Sequence, residues 1–149
     1  MFRFDEVIDF AIKREQEAVQ FYRDLQLMAR FSPQKEVLKD FELMEEGHVR
    51  LLEGVKERHS AERLAVRIPE DLQLSSYLAD TAPTAEMTYQ DILIAAMKKE
   101  ERSVDLYSLL RDRAGDTETR KLFDRLVAEE ENHRHHFEAM YDRDIQGDN

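Results

Sequence analysis

The sequence predicts an all-α fold, an antiparallel four-helix bundle made of two duplicated helical hairpins joined by a long crossover. Three observations carry this. Only four Gly and three Pro stand among 149 residues, 37% of them charged, and the long stretches rich in Ala, Leu, Glu, Lys, Arg and Met are the composition of long helices. Apolar residues recur at helical spacing through four segments. The two halves align without a gap at an offset of 85, pairing Ala11 with Ala96, Lys13 with Lys98, Val19 with Val104, Leu25 with Leu110 and Ala29 with Ala114. Such internal repetition reads as one structural unit used twice. A chain of this length fits a single domain, and one domain is expected over residues 1–149: a hairpin over 5–60, a crossover over about 64–87 and a hairpin over 88–141.

The first helix is predicted from Asp5 to about Ala29, where Val7, Ile8, Ala11, Ile12, Val19, Tyr22 and Leu25 form an apolar stripe. The stretch "FSPQKEV" interrupts it. Ser32 followed by Pro33 signals a new start, with the hydroxyl capping free amides and the proline suiting the first helical position, so a second helix runs into the late fifties. A connection this short makes the first two helices antiparallel. Thr88 and Asp91 form a capping-box pattern opening a third helix to about Arg113. Gly115 suits a helix stop, and Asp116 or Thr117 can cap a fourth helix reaching about Tyr141. Between the hairpins, about 24 residues around Pro69 and Pro83 are read as non-helical or only briefly ordered. Extended, they reach roughly 80 Å, enough to traverse a helix of about 36 Å, so the two hairpin turns are placed at opposite ends of the bundle.

Charge and composition exclude several functions. The net charge is −11 with no basic cluster, so nucleic acid and anionic membrane surfaces are repelled at long range while cations are attracted. The apolar run "ILIAAM" falls far short of the roughly 20 residues that span a bilayer, and the charged N-terminus lacks the layout of a secretory signal. A cytoplasmic protein is expected. With no Cys, the chain has no disulfide and no iron–sulfur or rubredoxin-type centre, and electrons must come from an external donor.

Carboxylates fall where a core belongs. Glu15 lies among Ala11, Ile12, Ala18, Val19 and Tyr22 at helical spacing, and Glu100 among Ala96, Met97, Ser103, Val104 and Tyr107. Both point along the inward stripe. Likewise "EEGH" places Glu45 and His48 on one face with Phe41 and Leu52, and "EENH" places Glu130 and His133 with Leu126, Val127 and Phe137. Counted from turns near residues 31 and 116, each lone Glu and each Glu-x-x-His reach the same level within a few ångströms at roughly 1.5 Å per residue. His59, His135 and His136 are read instead as members of solvated helix faces. Four isolated buried carboxylates would undo a bundle of ordinary stability unless compensated. Two divalent cations balance them, with two neutral imidazoles completing the set. Oxygen-rich ligands without thiolate favour iron, with manganese as the alternative, over structural zinc.

One Glu from each of two helices and a Glu-x-x-His from each of the others is the ligand set of di-iron carboxylate bundles. Through "EQEAVQFY", "EEGH", "EERSVDLY" and "EENH" the chain resembles the ferritin-like superfamily, and within it the rubrerythrin-type di-iron domain without the rubredoxin domain. The resemblance implies a centre of two Fe ions, with Glu15 and Glu100 as terminal ligands, Glu45 and Glu130 as bridges, and His48 and His133 as one imidazole for each metal. It also implies that Tyr22 and Tyr107 hydrogen-bond ligand carboxylates; their alternative is an ordinary core role. The chain departs from the rubrerythrin pattern at Ser103, where a further carboxylate is usual, and no fifth helix characteristic of cage-forming ferritins is found after Tyr141.

The resulting expectation is a di-iron oxidoreductase, of peroxidase or ferroxidase type, that reduces O2 or H2O2 as a ferrous pair is oxidised. An external electron donor protein and a homodimer are the expected partners. The alternatives are an iron-binding, sensing or storage module without redox turnover, and a metal-free structural bundle.

Overall fold

The computed structural model describes residues 4–28, 32–59 and 88–146. Four helices account for nearly all of them: α1 (Phe4–Met28), α2 (Ser32–His59), α3 (Tyr89–Arg113) and α4 (Thr117–Tyr141), the last running into a π-helical segment, Asp142–Gln146. No strand occurs among the described residues, and the all-α four-helix fold is as expected. The predicted crossover over about 64–87 lies outside the described residues, as does the side chain of His59.

Local chemistry sets the boundaries of the second hairpin. The Thr88 hydroxyl accepts from the Asp91 amide at 3.1 Å while the Asp91 carboxylate accepts from the Thr88 amide at 3.0 Å, so two otherwise free donors are satisfied reciprocally. At the other end, α3 stops because Ala114 turns extended (φ −66°, ψ 133°). Gly115 therefore does not act through a left-handed conformation; no described residue has positive φ. Asp116 caps α4, its Oδ1 accepting from the Thr119 amide at 2.8 Å. Asp116→Ala is expected to destabilise the fold by about 1 kcal/mol, the usual cost of losing an N-cap acceptor, measured as a fall in the urea midpoint at unchanged slope.

Two apolar layers hold the bundle. In one, Val7, Ile8 and Ala11 at the start of α1 and Leu52 and Val55 late in α2 pack against Val104, Tyr107 and Leu110 of α3 and Phe123, Leu126 and Val127 early in α4. In the other, Ala18, Phe21, Tyr22 and Leu25 of α1 and Leu38 and Phe41 of α2 meet Ile92, Leu93 and Ala96 of α3 and Phe137 and Met140 of α4. The end of α1 and the start of α2 thus lie beside the start of α3 and the end of α4. The described ends of α1 and α2 that face each other are therefore at the other end of the bundle from the α3–α4 connection, while the first turn itself, at 29–31, lies outside the described residues. Phe41 and Phe137 stack with centroids 4.4 Å apart, and Tyr22 lies parallel to Phe137 at 6.1 Å. Between the layers the interior turns polar.

Candidate metal centre

The middle level of the bundle collects the six side chains singled out in the sequence. Glu15, Glu45, His48, Glu100, Glu130 and His133 are each at most 5% exposed. Helix periodicity explains the burial: each occupies an inward position whose neighbours one turn away are core residues, so the side chain has nowhere else to go. They form two overlapping groups. Glu15, Glu45, His48 and Glu130 each offer one ligand atom within 4.8 Å of the others, and so do Glu45, Glu100, Glu130 and His133. Glu45 and Glu130 belong to both. Glu15 with His48 and Glu100 with His133 each belong to one.

The histidine rings lie parallel, 6.0 Å apart at 11°, with both Nδ1 atoms turned inward. His133 Nδ1 is 3.1 Å from Glu45 Oε1 and 3.6 Å from Glu100 Oε2. His48 Nδ1 is 3.1 Å from Glu130 Oε1 and 3.5 Å from both Glu15 Oε1 and Glu45 Oε2. Even so, His48 Nδ1, Glu15 Oε2, Glu45 Oε2, Glu100 Oε2 and Glu130 Oε1 are all buried without a hydrogen-bond partner. An orphaned buried polar atom costs about 1–3 kcal/mol, more when charged. Five orphans in one cluster, four of them carboxylate oxygens, mark a site suited to a cation.

Two tyrosines cross between the hairpins. The hydroxyl of Tyr22 on α1 donates to Glu100 Oε1 on α3, and that of Tyr107 on α3 donates to Glu15 Oε1 on α1. Each tyrosine serves the glutamate of the other hairpin. Burial, then the charges of Glu100 and Glu15 respectively, push both phenols well above their usual range, so they remain donors. One oxygen of each lone glutamate is thereby occupied while the other stays unpartnered.

Electrostatics divides the carboxylates. Burial and the charges of neighbouring glutamates push Glu45 and Glu130 well above the ordinary carboxylate range. For Glu15, burial is outweighed by the neighbouring Glu45 carboxyl, the close His48 ring and its charge, and the hydrogen bond from Tyr107, which bring it down to about 2. Burial likewise opposes, without preventing, the lowering of Glu100 by Glu130, His133 and Tyr22. Both histidines are held above their usual value against the effect of burial, His48 by Glu130, Glu15 and Glu45 and His133 chiefly by Glu100. Without a cation, protons hold the cluster together.

The family model for rubrerythrin matches residues 6–141, nearly the whole chain. The chain belongs to the rubrerythrin family. Its all-helical bundle is the ferritin-like form of that family, and the buried Glu/His cluster is a candidate metal site within such a domain. No curated protein and no solved structure matches the sequence. Ser103, at the position where rubrerythrins usually carry a further carboxylate, is buried and spends its hydroxyl on the Lys99 carbonyl at 3.2 Å. No described helix is long and apolar enough to cross a membrane.

Sequence reasoning missed three features of the rubrerythrin site. Glu129 reaches His48 from α4, its Oε2 meeting the outward Nε2 of the ring, while Arg125 Nε donates to its Oε1 at 3.1 Å. It sits in the charged run "AEEENHRHH", whose His135 and His136 are exposed as expected of a solvated face. Arg14 and Lys99, each preceding a lone glutamate, are buried, and Arg14 Nη2 donates to the Lys99 carbonyl at 2.9 Å. Their common offset of 85 was the available signal. A cleft of about 340 Å³ between α2 and α4, lined by Met44, Gly47, His48, Arg125, Glu129 and His133 among others, reaches both histidines from the surface.

Proposed function

We propose that this rubrerythrin-family chain is a non-haem di-iron oxidoreductase that reduces O2 or H2O2 with electrons from an external donor. The observation that carries the reading is the pair of overlapping four-residue groups sharing Glu45 and Glu130. In this reading Glu45 and Glu130 would be shared by two metal ions, one held also by Glu15 and His48 and the other by Glu100 and His133. The Tyr22 and Tyr107 hydroxyls each occupy one oxygen of Glu100 and Glu15, leaving one oxygen for metal and making these two glutamates terminal. Four carboxylates balance two divalent cations, so with two neutral imidazoles the ferrous form would carry no net charge. Iron is favoured by the oxygen-rich donor set, with manganese the alternative.

A bound iron pair supplies two electrons to an oxidant. The protein supplies the rest. Glu45 and Glu130, each with an oxygen that has no protein partner, would be free to adjust to a bound metal, whereas the tyrosine bonds hold Glu15 and Glu100 in place. The Phe41 ring, stacked on Phe137, sits edge-on to His133 at 4.9 Å and shields that side of it from water. The cleft between α2 and α4 gives a small oxidant a path to the site.

Anaerobic loading with Fe(II), followed by rapid mixing with O2 and separately with H2O2, tests the reading. The iron is expected to oxidise with at least one oxidant, and sustained turnover should require added reductant. Gly47→Leu checks the route. Position 47 lies on the cleft, and a Cβ there meets nothing closer than Arg50 Nη2 at 3.9 Å, so the larger side chain fits the helix but fills the cleft. Oxidation should slow several-fold at unchanged iron content. Ferrous protein that stays unoxidised through prolonged exposure to both oxidants would refute the oxidoreductase and leave an iron-binding module.

A further inference from the structure

The internal repeat makes the two halves of the site look equivalent, and at the level of the six inward groups they are. Outside those groups the match breaks, and at one such position the difference is a charge beside a histidine. Glu129 stands at the place in α4 that Met44 holds in α2, since the two are 85 residues apart. Around His48 this gives the ring a carboxylate at Nε2 in addition to the inward carboxylates near Nδ1, with Arg125 steadying Glu129 at its other oxygen. On the other side the equivalent residue is a half-exposed methionine, whose thioether is only a weak acceptor. The reach from the backbone is the same; the chemistry is not.

A carboxylate on the outer nitrogen of a metal-binding imidazole fixes the ring's tautomer and orientation and raises its basicity toward the metal. His48 is so fixed, with Nδ1 left to face Glu15, Glu45 and Glu130. Resting on the two-metal reading above, we infer that the centre is asymmetric: the Glu129–His48 pair makes the Glu15/His48 position bind its metal more tightly than the Glu100/His133 position and fill first. Glu129 is a positioning residue, acting through His48 without touching the metal. Because the charged partner lies at the rim of the cleft, the stronger position is also the one whose supporting contact solvent can reach.

Anaerobic titration with Co(II), followed by its visible absorption, tests this without requiring turnover. The wild type is expected to fill in two steps separated by at least tenfold in affinity. Glu15→Ala should remove the tight step and Glu100→Ala the weak one. Glu129→Gln, nearly isosteric, should weaken the tight step by roughly 10–100-fold and leave the other within about twofold. Met44→Glu, at an exposed position, should tighten the weak step and bring the two together, a gain that damage to the fold does not produce. Melting of each metal-free variant checks the fold. Two indistinguishable steps in the wild type, or a Glu129→Gln chain with both steps unchanged or both equally weakened, overturns the asymmetry while leaving a two-metal site standing. A wild type that takes up no Co(II) overturns the metal reading on which the asymmetry rests.

Discussion

Replacing Glu45 or Glu130 with alanine is expected to empty both metal positions, while replacing Glu15 empties only one. The difference follows from membership: Glu45 and Glu130 belong to both four-residue groups, Glu15 to one. Loss of a shared anion leaves each position one ligand short and the whole site short of charge. The affinity lost at both should exceed the roughly 10–100-fold typical of removing an outer-shell partner. Metal analysis after loading with excess Fe(II) and desalting should give about two ions for the wild type, about one for Glu15→Ala and close to none for Glu45→Ala or Glu130→Ala. Equal losses from Glu15→Ala and Glu45→Ala would remove the distinction between bridging and terminal glutamates.

Metal should also raise thermal stability, and by more as pH rises. A ligand bound only by the folded state stabilises it by about 2.7 kcal/mol at a hundred times its dissociation constant, equivalent here to a shift of roughly 5–10 °C. The pH dependence comes from the metal-free state. Glu45 and Glu130 have raised carboxyls, so the folded state holds protons that the unfolded state releases, and stability falls as pH climbs above the ordinary glutamate value of 4.5. His48 and His133 are also raised, so their contribution is full below 6.5 and declines above it as the folded rings titrate. Glu15 and Glu100 run the other way, contributing above 4.5 and losing that contribution as pH falls, toward about 2 for Glu15. These groups therefore favour a metal-free optimum on the acid side of neutral. Metal replaces the protons, so its binding competes with acid, and the gap between loaded and chelated melting temperatures should widen from pH 5 to pH 8. Identical melting with and without chelator would point to a structural bundle.

Much of this arrangement was legible in the sequence, for one reason: the repeat. A single Glu-x-x-His on a charged helix is weak evidence, but the offset pairing of Glu15 with Glu100, Glu45 with Glu130 and His48 with His133 put six groups in register before any coordinates. Helical geometry then left them no direction but inward. The capping box at Thr88 and the cap at Asp116 were equally readable because each is decided within four residues. What escaped was whatever breaks the repeat or needs two distant helices at known separation. Glu129 faces His48 only because α2 and α4 are neighbours, and its counterpart, Met44, gives no hint of it. The tyrosine–carboxylate bonds were expected, but their crossing between hairpins depends on how the halves dock, which no local pattern records.

Those crossed bonds have a consequence for biosynthesis. Tyr22 meets Glu100 across 78 residues of chain, Tyr107 meets Glu15 across 92, and His133 meets Glu45 across 88. The hairpin contacts within α1 and α2 are local by comparison and close early, because short loops cost less entropy to form. An emerging chain that has completed α1 and α2 presents Glu15, Glu45 and His48 without the fourth member of their group or the Tyr107 hydroxyl. Neither four-residue group exists until α4 has been made and has docked. Assembly of the candidate metal site is thus deferred to the last stage of folding, and an incomplete chain presents no complete four-residue group to a cation.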